Sequence, residues 1–278
     1  MMLNEQLNLF PNTDPRPPET ITWNLWRGCT KISPGCQKCY MFRKAEAVGR
    51  NPKEVVKNKC FHLPTQILRS GPYKGYYKIP AGSLIYTCFT SDFFHAAADE
   101  WRSEAWDMIR ERSDCTFFMI TKRPERIKKN LPEDWGDGWE HVTIAVTVEN
   151  YWIANQRLPM YLSLPLKHRS VMVEPMLTHV NLRSYLSSGL IESVSAGGES
   201  GPDSRPCDYG WVLDLHTQCV EYGVPFNYHQ TGARLVKGGK EYSIPREYQH
   251  KQARKAGLDF DGKVLLTTVS EEFVNTGE

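Results

Sequence analysis

The stretch VTIAVTVENYWIANQRLPMYLSLPLKHRSVMVEP, residues 142–175, decides the fold. A run rich in β-branched residues, Val142–Val148, gives way to Glu149 and Asn150, then to a helical stretch, Tyr151–Leu162, then to a second apolar run, Ser170–Glu174. Such continuous runs suit strands buried on both faces of a parallel sheet, and a helix between two of them makes a right-handed βαβ unit. The alternation continues outward. Ile21–Trp26, Leu84–Thr90 and Thr116–Thr121 read as earlier strands, and Ile191–Ala196 and Pro225–His229 as later ones. Amphipathic helices are expected over Asp99–Arg112 and Tyr209–Tyr222. The pattern predicts an α/β fold, a partial or full (β/α) barrel of six to seven parallel strands, with an open doubly wound sheet as the alternative.

The chain has 278 residues, 40% apolar and 24% charged, which suits one soluble barrel domain. A formal net charge of +2 neither demands nor excludes a nucleic-acid partner. No run of about 18 apolar residues exists, so no membrane span or membrane partner is expected. Residues 1–20 carry four prolines and neither a basic start nor an apolar run, and read as a flexible arm rather than a secretory signal. A cytoplasmic location follows as an expectation, with the eight cysteines kept reduced. The barrel is expected over residues 21–231. Residues 232–278 form an appendage, basic from Lys237 to Lys255 and acidic at its end, with a helix near Pro245–Ala256.

Parallel α/β folds bind ligands beyond the carboxyl ends of their strands. In this chain those ends carry Ser91 and Asp92, Lys122 and Arg123, Glu149 and Asn150, Glu174, the run Gly197, Gly198, Glu199 and Ser200, and His229. One shared pocket is expected from them, with ligand contact by Gly198, Glu199 or Ser200. Helix capping is the competing role for Asp92, Asn150 and Ser200. Lys122 and Arg123 suit a phosphate or carboxylate. Glu174 suits substrate binding or general-base work, against an ion pair with Lys122 or Arg123. His95 and His229 read as hydrogen-bonding residues beside the mouth, and Cys88, Cys115, Cys207 and Cys219 as core.

Cys29, Cys36 and Cys39 follow the first strand with C-x6-C-x2-C spacing, and Gly28, Pro34 and Gly35 supply the turns that bring them together. Thiolates in this pattern suit a metal centre, against unmetallated thiols. Structural zinc takes four ligands, and only Cys60 or His62 offers a fourth. Three ligands and an open position favour an iron–sulfur cluster.

The segments TWNLWRGCTKISPGCQKCY (22–40), SDFFH (91–95), VEP (173–175) and GGESGPDSRP (197–206) resemble a bacterial and phage family of uncharacterised proteins described by its three-Cys motif. The resemblance runs from about Thr22 to about Gly232. That family in turn resembles the radical S-adenosylmethionine (SAM) enzymes. The resemblance implies a partial barrel in which Cys29, Cys36 and Cys39 hold a [4Fe-4S] cluster. SAM on the open iron is then cleaved by one electron to a 5′-deoxyadenosyl radical, with an external electron donor as partner. It further implies Ser91 and Asp92 at the SAM amino group, Glu149 or Asn150 at the ribose, and Gly197 and Gly198 beside the methionine or adenine. Here the first spacing is six residues rather than three, and Lys38 stands where an aromatic residue is usual. The expected function is an enzyme that modifies an unidentified substrate, with the basic residues suggesting a nucleotide or nucleic acid. The alternatives are a zinc-stabilised nucleic-acid-binding module, and a metal-dependent hydrolase using Asp92, Glu149 or Glu174.

Overall fold

The structure, a computed structural model, describes residues 14–262. Its main sheet has seven strands: β1 Thr20–Trp23, β2 Leu84–Thr87, β3 Thr116–Thr121, β4 Val142–Thr147, β5 His168–Val173, β6 Ser193–Gly197 and β7 Phe226–Gln230. Every neighbouring pair is parallel, and the spatial order follows the chain. A doubly wound sheet would reverse direction at a switch point. This one does not, and it curls into an open half barrel with β1 and β7 as its edges. Phe260 covers the β7 edge, exchanging two 2.8 Å backbone hydrogen bonds with Phe226.

Among the described residues six helices punctuate the strands: α1 Tyr40–Ala47, α2 Asp99–Glu111, α3 Tyr151–Leu162, α4 Arg183–Leu186, α5 Tyr209–Glu221 and α6 Arg246–Lys255. Only two 3₁₀ turns, Pro124–Arg126 and Lys128–Asn130, stand between β3 and β4. The start and packing of α3 follow from its residues. Asn150 Oδ1 accepts the Ile153 N–H at 2.9 Å, a side-chain N-cap. Ala154, Leu158 and Tyr161 then form a buried stripe at helical spacing. The Tyr161 hydroxyl donates to the Ile144 carbonyl at 2.6 Å and pins the helix to β4. Among the described residues no helix is long and apolar enough to cross a membrane.

Two strands are shorter than expected. β1 stops at Trp23, and Trp26–Arg27 pairs instead with Val56–Lys57, antiparallel. β2 stops at Thr87 because Cys88 takes φ 67°, left-handed backbone that costs a residue with a side chain about 1–3 kcal/mol.

β4 is buried on both faces from Ile144 to Thr147, as its apolar run suggests, but β2, β3 and β5 are not, which corrects the reading of theirs. Phe117, Met119, Val171 and Val173 are buried on the helix side. Tyr86, Phe118, Ile120 and Met172 on the other side are only half-buried, and line a cavity of about 1590 Å³. A closed barrel fills its interior with side chains; this open one keeps a hollow. The register sets Tyr86 beside Phe118, and places Thr147, Met172, Ser195 and Asn227 in one row across four strands.

Of the 1–20 arm, residues 1–13 lie outside the described residues. Beyond them, Arg16 donates to the Tyr77 carbonyl at 2.6 Å, and the Glu19 N–H to Ser83 Oγ at 3.0 Å. After β7, Arg234–Lys237 and Lys240–Ser243 form a hairpin that pairs with Cys207–Asp208. Gly238 and Gly239, at φ 60° and 74°, make its two-residue turn. The acidic end of the chain, from residue 263, lies outside the described residues.

Candidate active site

The cysteine segment between β1 and α1 forms one wall of the cavity, and Cys29, Cys36 and Cys39 all border it. Gly28 has φ +87°, and a Cβ there would stand 2.0 Å from the Glu54 carbonyl oxygen, so only glycine fits. Pro34–Cys36 is a 3₁₀ turn, and a Cβ on Gly35 would come 2.4 Å from Glu149 Cγ. Burial pushes the Cys29 thiol up to about 11, against the opposing pull of Arg123.

Four strand ends grip this segment. After β2, Ser91 Oγ donates to the Gly28 carbonyl at 2.5 Å. After β3, Arg123 donates to the carbonyl and the hydroxyl of Thr30, both at 3.0 Å, and both its terminal nitrogens lie 3.7 Å from Cys29 Sγ. After β4, the wholly buried Glu149 accepts the Ser33 hydroxyl at 2.5 Å and Arg157 at 3.2 Å. After β6, Arg205 donates to the Pro34 carbonyl at 2.9 Å, and is itself clamped on Glu199 at 2.5 and 2.9 Å.

Asp92 is the hub of this arrangement. Its Oδ1 accepts from Thr121 Oγ1 at 2.8 Å and the Phe94 N–H at 3.0 Å. Its Oδ2 accepts from the Lys122 N–H and Arg123 Nη1, each at 2.9 Å. A carboxylate has about four lone-pair sites, and protein donors take them all. Asp92 thus fixes the guanidinium that faces Cys29. His95 sits beside it with Nε2 3.1 Å from Thr30 Oγ1, its pKa lowered by burial and then by Arg123.

On the far side, Glu174 Oε1 accepts from His229 Nδ1 and Gln230 Nε2, each at 2.8 Å. Burial pushes Glu174 up, but the His229 contact outweighs it and holds the carboxyl below its ordinary range; the same contact raises His229. Glu174 therefore pairs with neither Lys122 nor Arg123. The Lys122 amine borders the cavity and stands 4.0 Å from Glu149.

Of the residues read from the sequence, Ser91, Asp92, Lys122, Glu174, Gly198, Glu199 and Ser200 share the cavity wall with the three cysteines. Glu149, Asn150 and Gly197 do not border it. Asn150 is the cap of α3. The space beside Gly197 is taken by Glu174, 2.5 Å from where a Cβ would stand, and that beside Gly198 by the Thr231 carbonyl at 2.3 Å. The Ser200 carbonyl accepts from Arg43 at 3.0 Å. Cys88 is 1% exposed yet reaches the same wall. Cys60 and His62 face elsewhere: Cys60 Sγ donates to the Asn24 carbonyl at 3.2 Å, and His62 meets Glu104 at 2.6 Å. Among the described residues no three His, Cys, Asp or Glu side chains gather as ligands of one metal ion; Asp92 is taken up by Arg123, Glu149 by Arg157, and Glu174 by His229 and Gln230.

The sequence reading missed Arg205, Arg157, Thr30 and Ser33. Arg205 lies inside the GGESGPDSRP segment, where a basic residue six positions after Glu199 was the available signal.

Residues 19–268 match the family described as "Protein of unknown function (DUF5131)", and the chain belongs to that family. No curated protein matches it. Among solved structures, a mutant of spore photoproduct lyase is similar, with 12% identity and a TM-score of 0.40, over 83% of this chain and 70% of that one.

Proposed function

We propose that this chain is an iron–sulfur enzyme whose Cys29, Cys36 and Cys39 hold a [4Fe-4S] cluster that acts on SAM, in order to modify a substrate bound in the half-barrel cavity. The observation that carries the reading is the placement of three cysteines from one gripped segment on the wall of that cavity, with the Arg123 guanidinium 3.7 Å from Cys29 Sγ.

The donor set fits the group. Three cysteines of one segment border the cavity, one short of the four ligands structural zinc takes, and a cluster takes each thiolate on a separate iron. A reduced cluster, when bound, supplies the electron that cleaves the SAM sulfonium bond.

The remaining work belongs to the chain. Arg123 offsets the negative charge of a metal-bound Cys29 sulfur, and Asp92 keeps it there. Ser91, Glu149 and Arg205 hold the segment against the sheet, so the three sulfurs face a fixed cavity. Lys122 offers a cation to an anionic group of the bound molecules, and the Glu174–His229 pair can hold or pass a proton at its carboxylate or imidazole. Reduced thiols suit the cytoplasm, with an electron-donor protein as partner.

Anaerobic incubation with SAM and dithionite tests the proposal. It predicts release of 5′-deoxyadenosine from the cluster-loaded chain. Intact SAM after incubation with protein carrying a full cluster would overturn it.

A further inference from the structure

We infer that the substrate is a single-stranded polynucleotide, laid along the C-terminal appendage with one base turned into the cavity. The inference rests on the proposed function only in taking this cavity as the place of chemistry.

Charge is the first observation. Residues 234–255 hold seven Lys or Arg against two Glu, a net +5 in a chain whose total is +2, so the rest of the molecule is net negative. The structure sets this segment at the cavity mouth, where Arg234, Ser243 and Arg246 border the opening. The Arg246 guanidinium is exposed and, among the described residues, bonds only amide oxygens, Gln230 at 2.7 Å and Gln249 at 3.0 Å, with no carboxylate paired to it. Lys237 and Lys240 on the hairpin and Lys251 and Lys255 on α6 are all exposed on the same segment. Lys38, Arg43 and Lys44 line the same cavity, none paired with a carboxylate among the described residues. Tyr40, the first residue of α1, and Arg246, the first of α6, line the same cavity.

The cavity floor is the second observation. Tyr86 and Phe118 meet edge to face at 5.7 Å, half-buried, with Ile120 and Met172 beside them. Half-open aromatic rings beneath a basic rim are what a base and its phosphates need. Single ligand sites run to about 1000 Å³. The 1590 Å³ here leaves room for a cofactor and a nucleotide together.

The extent of the charge chooses a polymer. The ten residues of α6 span about 15 Å at 1.5 Å per residue, farther than one nucleotide reaches. A base can enter such a hollow only when unstacked, which favours a single strand.

The test is fluorescence anisotropy with labelled oligonucleotides of about 16 nucleotides at about 50 mM salt. Single-stranded DNA, single-stranded RNA, duplex DNA and AMP are compared on the full chain, without SAM or reductant. We expect a single strand, DNA or RNA, to bind more tightly than duplex or AMP. Reversing Lys237, Lys240, Lys251 and Lys255 to Glu together should weaken it at least about tenfold and flatten its salt dependence. Phe118→Leu, checked for an unchanged melting point, should weaken it about fivefold. No binding, binding indifferent to the four reversals, or AMP binding as tightly as the oligonucleotide would overturn the inference. Iron content measured on the same samples separates this outcome from failure of the cluster reading.

Discussion

Strand β3 presents two unlike faces built from like residues. Phe117 and Met119 are wholly buried against the helix layer, while Phe118 and Ile120, their immediate neighbours, look into the cavity half-covered. The outer face stabilises the sheet through close packing. The inner face gives up part of that stabilisation and keeps an apolar hollow in exchange. A sequence such as TFFMIT cannot distinguish the two, because both faces use the same side chains.

Truncation separates them most sharply. Phe117→Ala should cost about 4 kcal/mol in denaturant unfolding, as for a wholly buried aromatic, and Phe118→Ala less than half of that. Equal losses would break the comparison. A second contrast lies within the strand ends. Asp92 holds a buried guanidinium, and Asp92→Asn leaves Arg123 beside Cys29 without its counter-charge. Unfolding should become easier by about 3 kcal/mol, with lower iron retention. Arg205→Ala removes a partly exposed grip on the same segment and should cost about 1 kcal/mol, with a smaller loss of iron.

The smallest effect concerns the far side of the cavity. His229 is raised above its ordinary 6.5 by Glu174, and Glu174 is held down in return. The pair's stabilisation is therefore complete below about pH 6.5, down to the lowered Glu174 titration, and is lost as pH rises through the raised His229 value. The difference in melting temperature between wild type and His229→Gln should be larger near pH 6 than near pH 9, and worth less than about 1 kcal/mol because His229 is half-exposed. A gap independent of pH would remove the ion pair from the account.

Much of this was legible from residues alone. The apolar runs marked all seven strands of the main sheet, and the polar stops after every one but β4 reach the cavity. What those stops do was not legible. Asp92, Glu149 and Glu199 read as ligands, yet their partners Arg123, Arg157 and Arg205 occupy them, and a pairing such as Glu149 with Ser33 joins residues 116 positions apart. Local spacing carries no trace of such contacts. The hairpin Arg234–Ser243 is a different case. Its Lys-Gly-Gly-Lys turn, 237–240, is a strong local signal, masked by the loss of strand–helix rhythm around it.

The central claim is that Cys29, Cys36 and Cys39 act together on one inorganic centre while the other cysteines do not. Anaerobic iron and sulfide analysis of wild type, Cys36→Ala and Cys60→Ala tests it directly. The account predicts about four irons and four sulfides per chain in wild type and Cys60→Ala, and near-complete loss in Cys36→Ala. One zinc per chain in wild type, lost equally in both variants, would contradict it.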